Sequence, residues 1–160
     1  MKKIILTLTI ALTLSACSTK KTNFPISAPP TRIHLLNGEY ISLSKITAQT
    51  KVLMFWSVGC SNSRSKIKRL NQLAGEMKGR SDVAFVAVSL NLESESQTLM
   101  NYIANTKLDN LVHAYSGNAG ADETFAAYGY SNKLPQFIVI DRDEIIGRAN
   151  RVVDVKKLIS

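Results

Sequence analysis

Histidine and cysteine are scarce in this 160-residue chain, with two of each, and tryptophan occurs once. His34 and His113 stand far apart and have no ligand-like neighbours, so the pattern offers no metal site and calls for no cofactor. There is no aromatic-interleaved basic stripe and no zinc-binding pattern, which excludes the usual nucleic-acid readers. The longest apolar run near the N-terminus, Ile4 to Leu14, is too short to span a bilayer as a mature helix. Acidic residues are also few, 12 against 20 basic ones, for a net charge of +8. What is plentiful is apolar residue, at 45%, enough for the packed core of one domain.

The first residues, "MKKIILTLTIALTLSAC", have the order of an export signal: Lys2 and Lys3, an apolar stretch, then small residues. Its end, Leu14-Ser15-Ala16-Cys17, resembles the bacterial lipobox. That resemblance implies cleavage after residue 16 and lipid on Cys17, with the chain anchored in the cell envelope and facing the periplasm. Ser18 resembles the outer-membrane default of lipoproteins rather than the inner-membrane aspartate signal. Without Lys2 and Lys3 the charge is 18 basic against 12 acidic residues, or +6. Cys60 is then the one free thiol, and it has no partner cysteine within its own chain.

Residues 17–31 form the expected tether, polar and holding three of the four prolines. Residues 32–160 form the expected domain. Asn37-Gly38 between two apolar stretches predicts a hairpin, and "KVLMFW" at Lys51 to Trp56 predicts a buried strand. A helix is expected from about Ser61 to Met77, stopped near Gly79. Then come a strand at Asp82–Leu90, a helix at Ser94–Asn105, a short strand at Leu111–Tyr115 and a short helix at Ala121–Tyr128. A β-hairpin, Gln136–Ile140 with Glu144–Arg148, and a helix over Val153–Ile159 end the chain. This order predicts an α/β domain: an N-terminal β-hairpin, then a central mixed sheet flanked by helices.

The stretch "VLMFWSVGCSNSR" carries the chemistry. Cys60 follows a buried strand and opens a helix, among unpaired backbone N–H groups. Such a place stabilises thiolate and lowers a cysteine pKa from about 8.5. Arg64 is the cation close enough to add to this, whereas Lys66, Lys68 and Arg69 are expected to face solvent. A space-filling cysteine under the turn is the plain alternative.

Together with "LNGEYISLSKI" and "AYGYSNKLPQFIVIDRDEIIGR", this stretch resembles the thioredoxin-like fold, and within it the TlpA/ResA-type periplasmic thiol–disulfide oxidoreductases. The resemblance implies that Cys60 is the nucleophile and that Leu134-Pro135 is a cis-proline facing it. It places Trp56, Gly59, Arg64 and Leu134 around the groove. Tyr128, Tyr130 and Lys133 are further groove candidates, and Trp56, Phe55 and Phe137 read as core. The departures fall at the chemistry. Ser63 stands where the family has its resolving cysteine, Gly59 where it has a tryptophan, and Lys66 where it has a glutamate.

Three functions compete. In the first, the Cys-x-x-Ser site of Cys60 and Ser63 performs monothiol exchange with an envelope protein bearing a thiol or disulfide. In the second, the fold is a binding or assembly module of an envelope complex, without catalysis. The third, a one-cysteine peroxidase, finds a hydroxyl in Ser57 but has Leu53 where a proline is required.

Overall fold

The computed structural model describes residues 24–160. Cys17 and the export signal lie outside the described residues.

Among the described residues there are eight strands and four α-helices; all but the first strand follow the expected order. Strand β1 is Ile26–Ser27, β2 is Arg32–His34 and β3 is Tyr40–Ser42. A 3-10 turn at Leu43–Lys45 leads to β4, Thr50–Trp56. Helix α1 is Ser61–Glu76, β5 is Val83–Leu92, and α2 is Ser96–Thr106. Then come β6 at Val112–Gly117, α3 at Glu123–Tyr128, β7 at Gln136–Asp141, β8 at Glu144–Ala149 and α4 at Val152–Leu158. Among the described residues no helix is long and apolar enough to cross a membrane.

Six strands form one mixed sheet in the order β1-β8-β7-β4-β5-β6. β4 and β6 each run parallel to β5, while β7 is antiparallel to β4, β8 to β7 and β1 to β8. β2 and β3 make the expected hairpin, pairing Arg32 with Ser42 and His34 with Tyr40. Its turn closes through the Gly38 amide donating to the Leu35 carbonyl at 3.0 Å, with Gly38 at φ 89°, a conformation glycine adopts without steric penalty.

β4 is buried over its whole length because both of its faces are covered. Val52, Met54 and Trp56 point to one face, where Ile67, Leu70 and Leu73 of α1, Leu99 of α2 and Val155 of α4 pack. Leu53 and Phe55 point to the other, against Ile33 of the hairpin, Ile138 and Tyr128. A continuous apolar run, rather than an alternating one, is what a central strand covered on both sides requires.

The expected tether is shorter than residues 17–31. Ile26 and Ser27 pair with Ile145 and Glu144 at the sheet edge, and the Ala28 amide donates to the Asp143 carbonyl at 2.8 Å. A two-residue edge strand depends on its distant partner strand and leaves no periodic mark in sequence.

Candidate functional site

The chain leaves β4 at Trp56 and turns through Ser57, Val58 and Gly59 before α1 begins. Three hydrogen bonds set that turn. The Gly59 amide donates to Ser57 Oγ at 3.2 Å, the Val58 amide to Asn91 Oδ1 at 3.0 Å, and Arg64 Nη1 to the Val58 carbonyl at 2.7 Å. Cys60 is the N-cap residue of α1, extended at φ −92° and ψ 114°, and its side chain caps no amide.

The Cys60 thiol is half-buried and is the free cysteine of the described residues. Its pKa is held below the ordinary 9.0, first by the Ser63 hydroxyl. Partial burial opposes the shift; the backbone amides of Ser63 and Asn62 and the Arg64 charge reinforce it. Ser63 itself is fully buried, and its Oγ makes no hydrogen bond of ordinary geometry. A hydrogen bond from this hydroxyl to the sulfur would form best with the thiolate, because hydrogen bonds to an ionised acceptor are shorter and stronger. A buried hydroxyl with no other partner is thereby free to serve the thiolate.

Across the groove stands Leu134-Pro135, whose peptide bond is cis, with Pro135 buried and Leu134 half-buried. The Leu134 carbonyl lies 3.9 Å from Cys60 Sγ and accepts from Asn62 Nδ2 at 3.3 Å. Gln136 secures this loop from below. Its Oε1 accepts from the Tyr130 amide at 2.9 Å, and its Nε2 donates to the Ser131 carbonyl.

The structure therefore brings Cys60, Ser63, Gly59, Arg64, Leu134 and Pro135 together. It does not bring Trp56 to the surface. Trp56 is fully buried beside Tyr102, with ring centroids 6.0 Å apart, and presents nothing to a partner. Tyr128 is also withdrawn, 1% exposed, with its hydroxyl donating to the Pro29 carbonyl on the opposite side of the sheet from α1. Tyr130, 37% exposed, borders the proline loop and donates its hydroxyl to the Ala149 carbonyl. Gly59 is exposed, and a Cβ there would meet only Ser57 Oγ, at 3.7 Å. The position has room for a side chain, and its bareness widens the approach to Cys60.

Asn91 and Gln136 were not among the residues singled out from sequence. Both are buried amides that tie a loop to the sheet. A polar residue at the end of an apolar strand, as in "VAVSLNL" and "LPQFIVI", is their one signal, and its partner is invisible without the fold. The histidines are engaged elsewhere. His34 stacks on Tyr40 at 4.3 Å, and His113 Nε2 bonds the Leu108 carbonyl at 2.8 Å.

Comparison with known proteins agrees with this geometry. No curated protein matches the chain. Among solved structures, a thiol-disulfide oxidoreductase from Bacteroides fragilis superposes with a TM-score of 0.70 at 22% identity, covering 83% of this chain and 99% of that one. The thioredoxin domain of a Bacteroides vulgatus thiol-disulfide oxidoreductase gives 0.69 at 19% identity, with 84% and 96% covered. A secreted Mycobacterium tuberculosis disulfide oxidoreductase, homologous to E. coli DsbE, gives 0.61 at 17% identity, with 76% and 83% covered. At these identities the likeness is one of fold. Residues 1–18 match the prokaryotic membrane lipoprotein lipid attachment site, the mark of a lipid-anchored envelope protein. Residues 49–146, more than half of the chain, match the thioredoxin-like family model, and the chain belongs to the thioredoxin-like family.

Proposed function

We propose that this protein performs monothiol–disulfide exchange in the bacterial envelope, anchored through lipid on Cys17 and facing the periplasm. Ser18 favours the outer membrane. The partner is an envelope protein carrying a disulfide or a thiol. In the forward step the Cys60 thiolate attacks one sulfur of the partner's disulfide. A Cys60–partner mixed disulfide forms, and the partner's other sulfur leaves as thiolate. An external thiol then attacks the mixed disulfide, releasing Cys60 and taking its place on the partner's sulfur. Ser63 has no sulfur with which to resolve the intermediate, so the second step belongs to another molecule.

The observation that carries this reading is the placement of Cys60, half-exposed at the α1 N-terminus with its pKa lowered by the Ser63 hydroxyl, two amides and Arg64. Peroxidase chemistry has less support. The Arg64 guanidinium is engaged by the Val58 carbonyl at 2.7 Å, and Leu53, where a proline is required, is core.

The alternative is a binding module that has given up catalysis. What favours it is the shallow groove between α1 and α4, where Lys66, Arg69, Arg151 and Lys156 surround Leu73, Val152 and Val153, with Lys156 paired to Glu76 and Arg151 to Asp154 and the Lys66 and Arg69 charges left for a partner. Such a surface suits an acidic assembly partner. One experiment separates the two. A disulfide-bearing peptide is added to the soluble domain without reductant, and the products are weighed by mass spectrometry. Monothiol exchange predicts a Cys60 adduct that persists until glutathione is added and is missing in Cys60→Ala. No adduct at any pH up to about 9, the ordinary thiol range, sinks the exchange reading and leaves the binder.

A further inference from the structure

Lys51 breaks the pattern of its strand. Side chains of β4 alternate, so Lys51 shares a face of the sheet with Leu53 and Phe55, the face covered by the β2–β3 hairpin and Tyr128. Leu53 and Phe55 meet apolar neighbours there. Lys51 is buried among them, with its side chain 7% exposed. Its ionic partner among the described residues is Asp143, whose carboxylate lies 3.8 Å from Nζ and is 77% exposed. That separation is longer than a hydrogen bond, so the pair satisfies none of the three N–H donors of the ammonium. A charge taken out of water is costly unless something pairs with it closely.

A cavity of about 250 Å³ opens beside this lysine. Pro29, Pro30, Leu43, Tyr128 and Ile140 supply apolar wall, while Lys51 and Asp143 supply charge. The walls are tied to one another. The Tyr128 hydroxyl donates to the Pro29 carbonyl at 2.5 Å, the Leu43 amide to the Thr31 carbonyl at 3.0 Å, and the Ala28 amide to the Asp143 carbonyl at 2.8 Å. A cleft braced in this way is formed before any ligand arrives, as small-molecule sites usually are. It lies at the start of β4, where Thr50 pairs with Asp141, and so at the end of the sheet away from Cys60.

The walls select the ligand. One cation set in apolar surface asks for one negative charge on an apolar body. A phosphate group carries about −1.5 to −2 at pH 7 and three acceptor oxygens, which one ammonium beside a carboxylate does not match. The volume is below the roughly 300–1,000 Å³ of drug-sized sites, which keeps the body small. Asp143 is a loose stand-in for the missing anion. It sits exposed on the β7–β8 turn and can turn to water when a ligand carboxylate reaches Nζ and makes the charge-assisted hydrogen bond that Asp143 does not.

We infer that this cavity binds a small apolar monocarboxylate, with Lys51 Nζ donating to the carboxylate and the Pro29, Pro30, Leu43 and Ile140 walls covering the body. The site is separate from the thiol groove and does not depend on what Cys60 does.

The test is a titration of full-length lipidated protein, in nonionic detergent, against para-fluorobenzoate followed by fluorine NMR. Saturable binding is expected. Lys51→Met keeps most of the bulk of the side chain without its charge, and should weaken binding about tenfold or more, the worth of a hydrogen bond to a charged group. The uncharged para-fluorobenzamide should bind the parent weaker by a similar factor. Asp143→Asn should strengthen binding, because the competing carboxylate is gone. Cooperative thermal unfolding of each variant shows that its fold is intact; if Lys51→Met fails to fold, the Asp143→Asn and benzamide comparisons decide. No saturable binding by the parent overturns the proposal, as does equal binding by folded Lys51→Met or by the benzamide. Weaker binding by folded Asp143→Asn overturns it too, since Asp143 would then belong to the ligand's own contacts. Inorganic phosphate that displaces the probe as well as unlabelled benzoate does would overturn the assigned ligand class.

Discussion

Asn91 holds Val58: the Val58 amide donates to Asn91 Oδ1 at 3.0 Å, inside the protein. The same oxygen accepts from Ser89 Oγ at 2.7 Å, and Asn91 Nδ2 donates to Glu95 Oε2 at 3.0 Å. One side chain thus joins the turn before Cys60, strand β5 and the start of the next helical segment. Asn91→Ala leaves a buried amide and a buried hydroxyl without their acceptor. We expect a loss of about 1–3 kcal/mol in stability, read from the midpoint of urea unfolding. Because the turn positions the α1 amides around the sulfur, the Cys60 alkylation midpoint should rise as well. A variant with unchanged stability and alkylation would show that Asn91 does not set the turn.

Ser63 is the first cause of the lowered Cys60 pKa, so its hydroxyl is open to test. Ser63→Ala should raise the pH midpoint of Cys60 alkylation toward the ordinary 9.0, with little change in fold. The linkage has a defined sign. The folded protein stabilises the thiolate, so the contribution is fully present above the unfolded pKa, the ordinary 9.0, and is lost as pH falls through the lower folded value. Urea midpoints of the parent protein should therefore rise with pH across that window relative to Cys60→Ser. Parallel curves for the two proteins would mean that the thiol titrates alike in the folded and unfolded states.

The order of elements was legible because β4 and α1 each carry a strong local pattern. Val52 to Trp56 is continuously apolar, and Ile67, Leu70, Leu73 and Ala74 recur at helical spacing. Cys60 was legible as the N-cap of α1 for the same reason. What escaped reading depends on contacts between distant residues. β1 exists through Ile145 and Glu144, and Asn91 matters through Val58, 33 residues away. Trp56 shows another limit. The resemblance placed it around the groove while the residue pattern read it as core, and strand alternation turns its side chain into the α1 face of the core, as the pattern has it.

His113 supplies a separate pH dependence. It is half-buried, its Nε2–H donates to the Leu108 carbonyl at 2.8 Å, and its buried Nδ1 has no hydrogen-bond partner. Burial holds its pKa below 6.5 despite the opposing pull of the Leu108 carbonyl and Asp109. As pH falls below 6.5 the unfolded chain takes up a proton that the folded protein refuses. Its stability contribution, present above 6.5, is lost down to the folded pKa. The slope in that window is at most about 1.4 kcal/mol per pH unit. His113→Gln keeps a donor for Leu108 and removes the titration, so its urea midpoint should vary less between about pH 7 and pH 5, the span of an ordinary histidine titration. A slope as steep as the parent's would assign the loss to other groups.

Ser63→Cys asks whether the missing thiol alone separates this chain from dithiol turnover. Residues 60 and 63 lie one helical turn apart at the start of α1, where a rise of about 1.5 Å per residue on a radius of about 2.3 Å puts Cα atoms three residues apart at about 5 Å. That spacing suits a disulfide, whose Cα atoms usually lie about 4.4–6.8 Å apart. Ser63 is already buried beneath the sulfur, and cysteine is a small side chain at home in such a site. The variant should form an internal disulfide between Cys60 and the introduced thiol, visible as the loss of two hydrogens by mass and of both free thiols by alkylation. With a dithiol reductant it should reduce insulin disulfides on the order of tenfold faster than the parent, whose mixed disulfide waits for an outside thiol. Formation of the disulfide without any gain in turnover would place the barrier elsewhere. The bare Gly59 rim and Lys66, in place of the family's tryptophan and glutamate, are then the next positions to exchange.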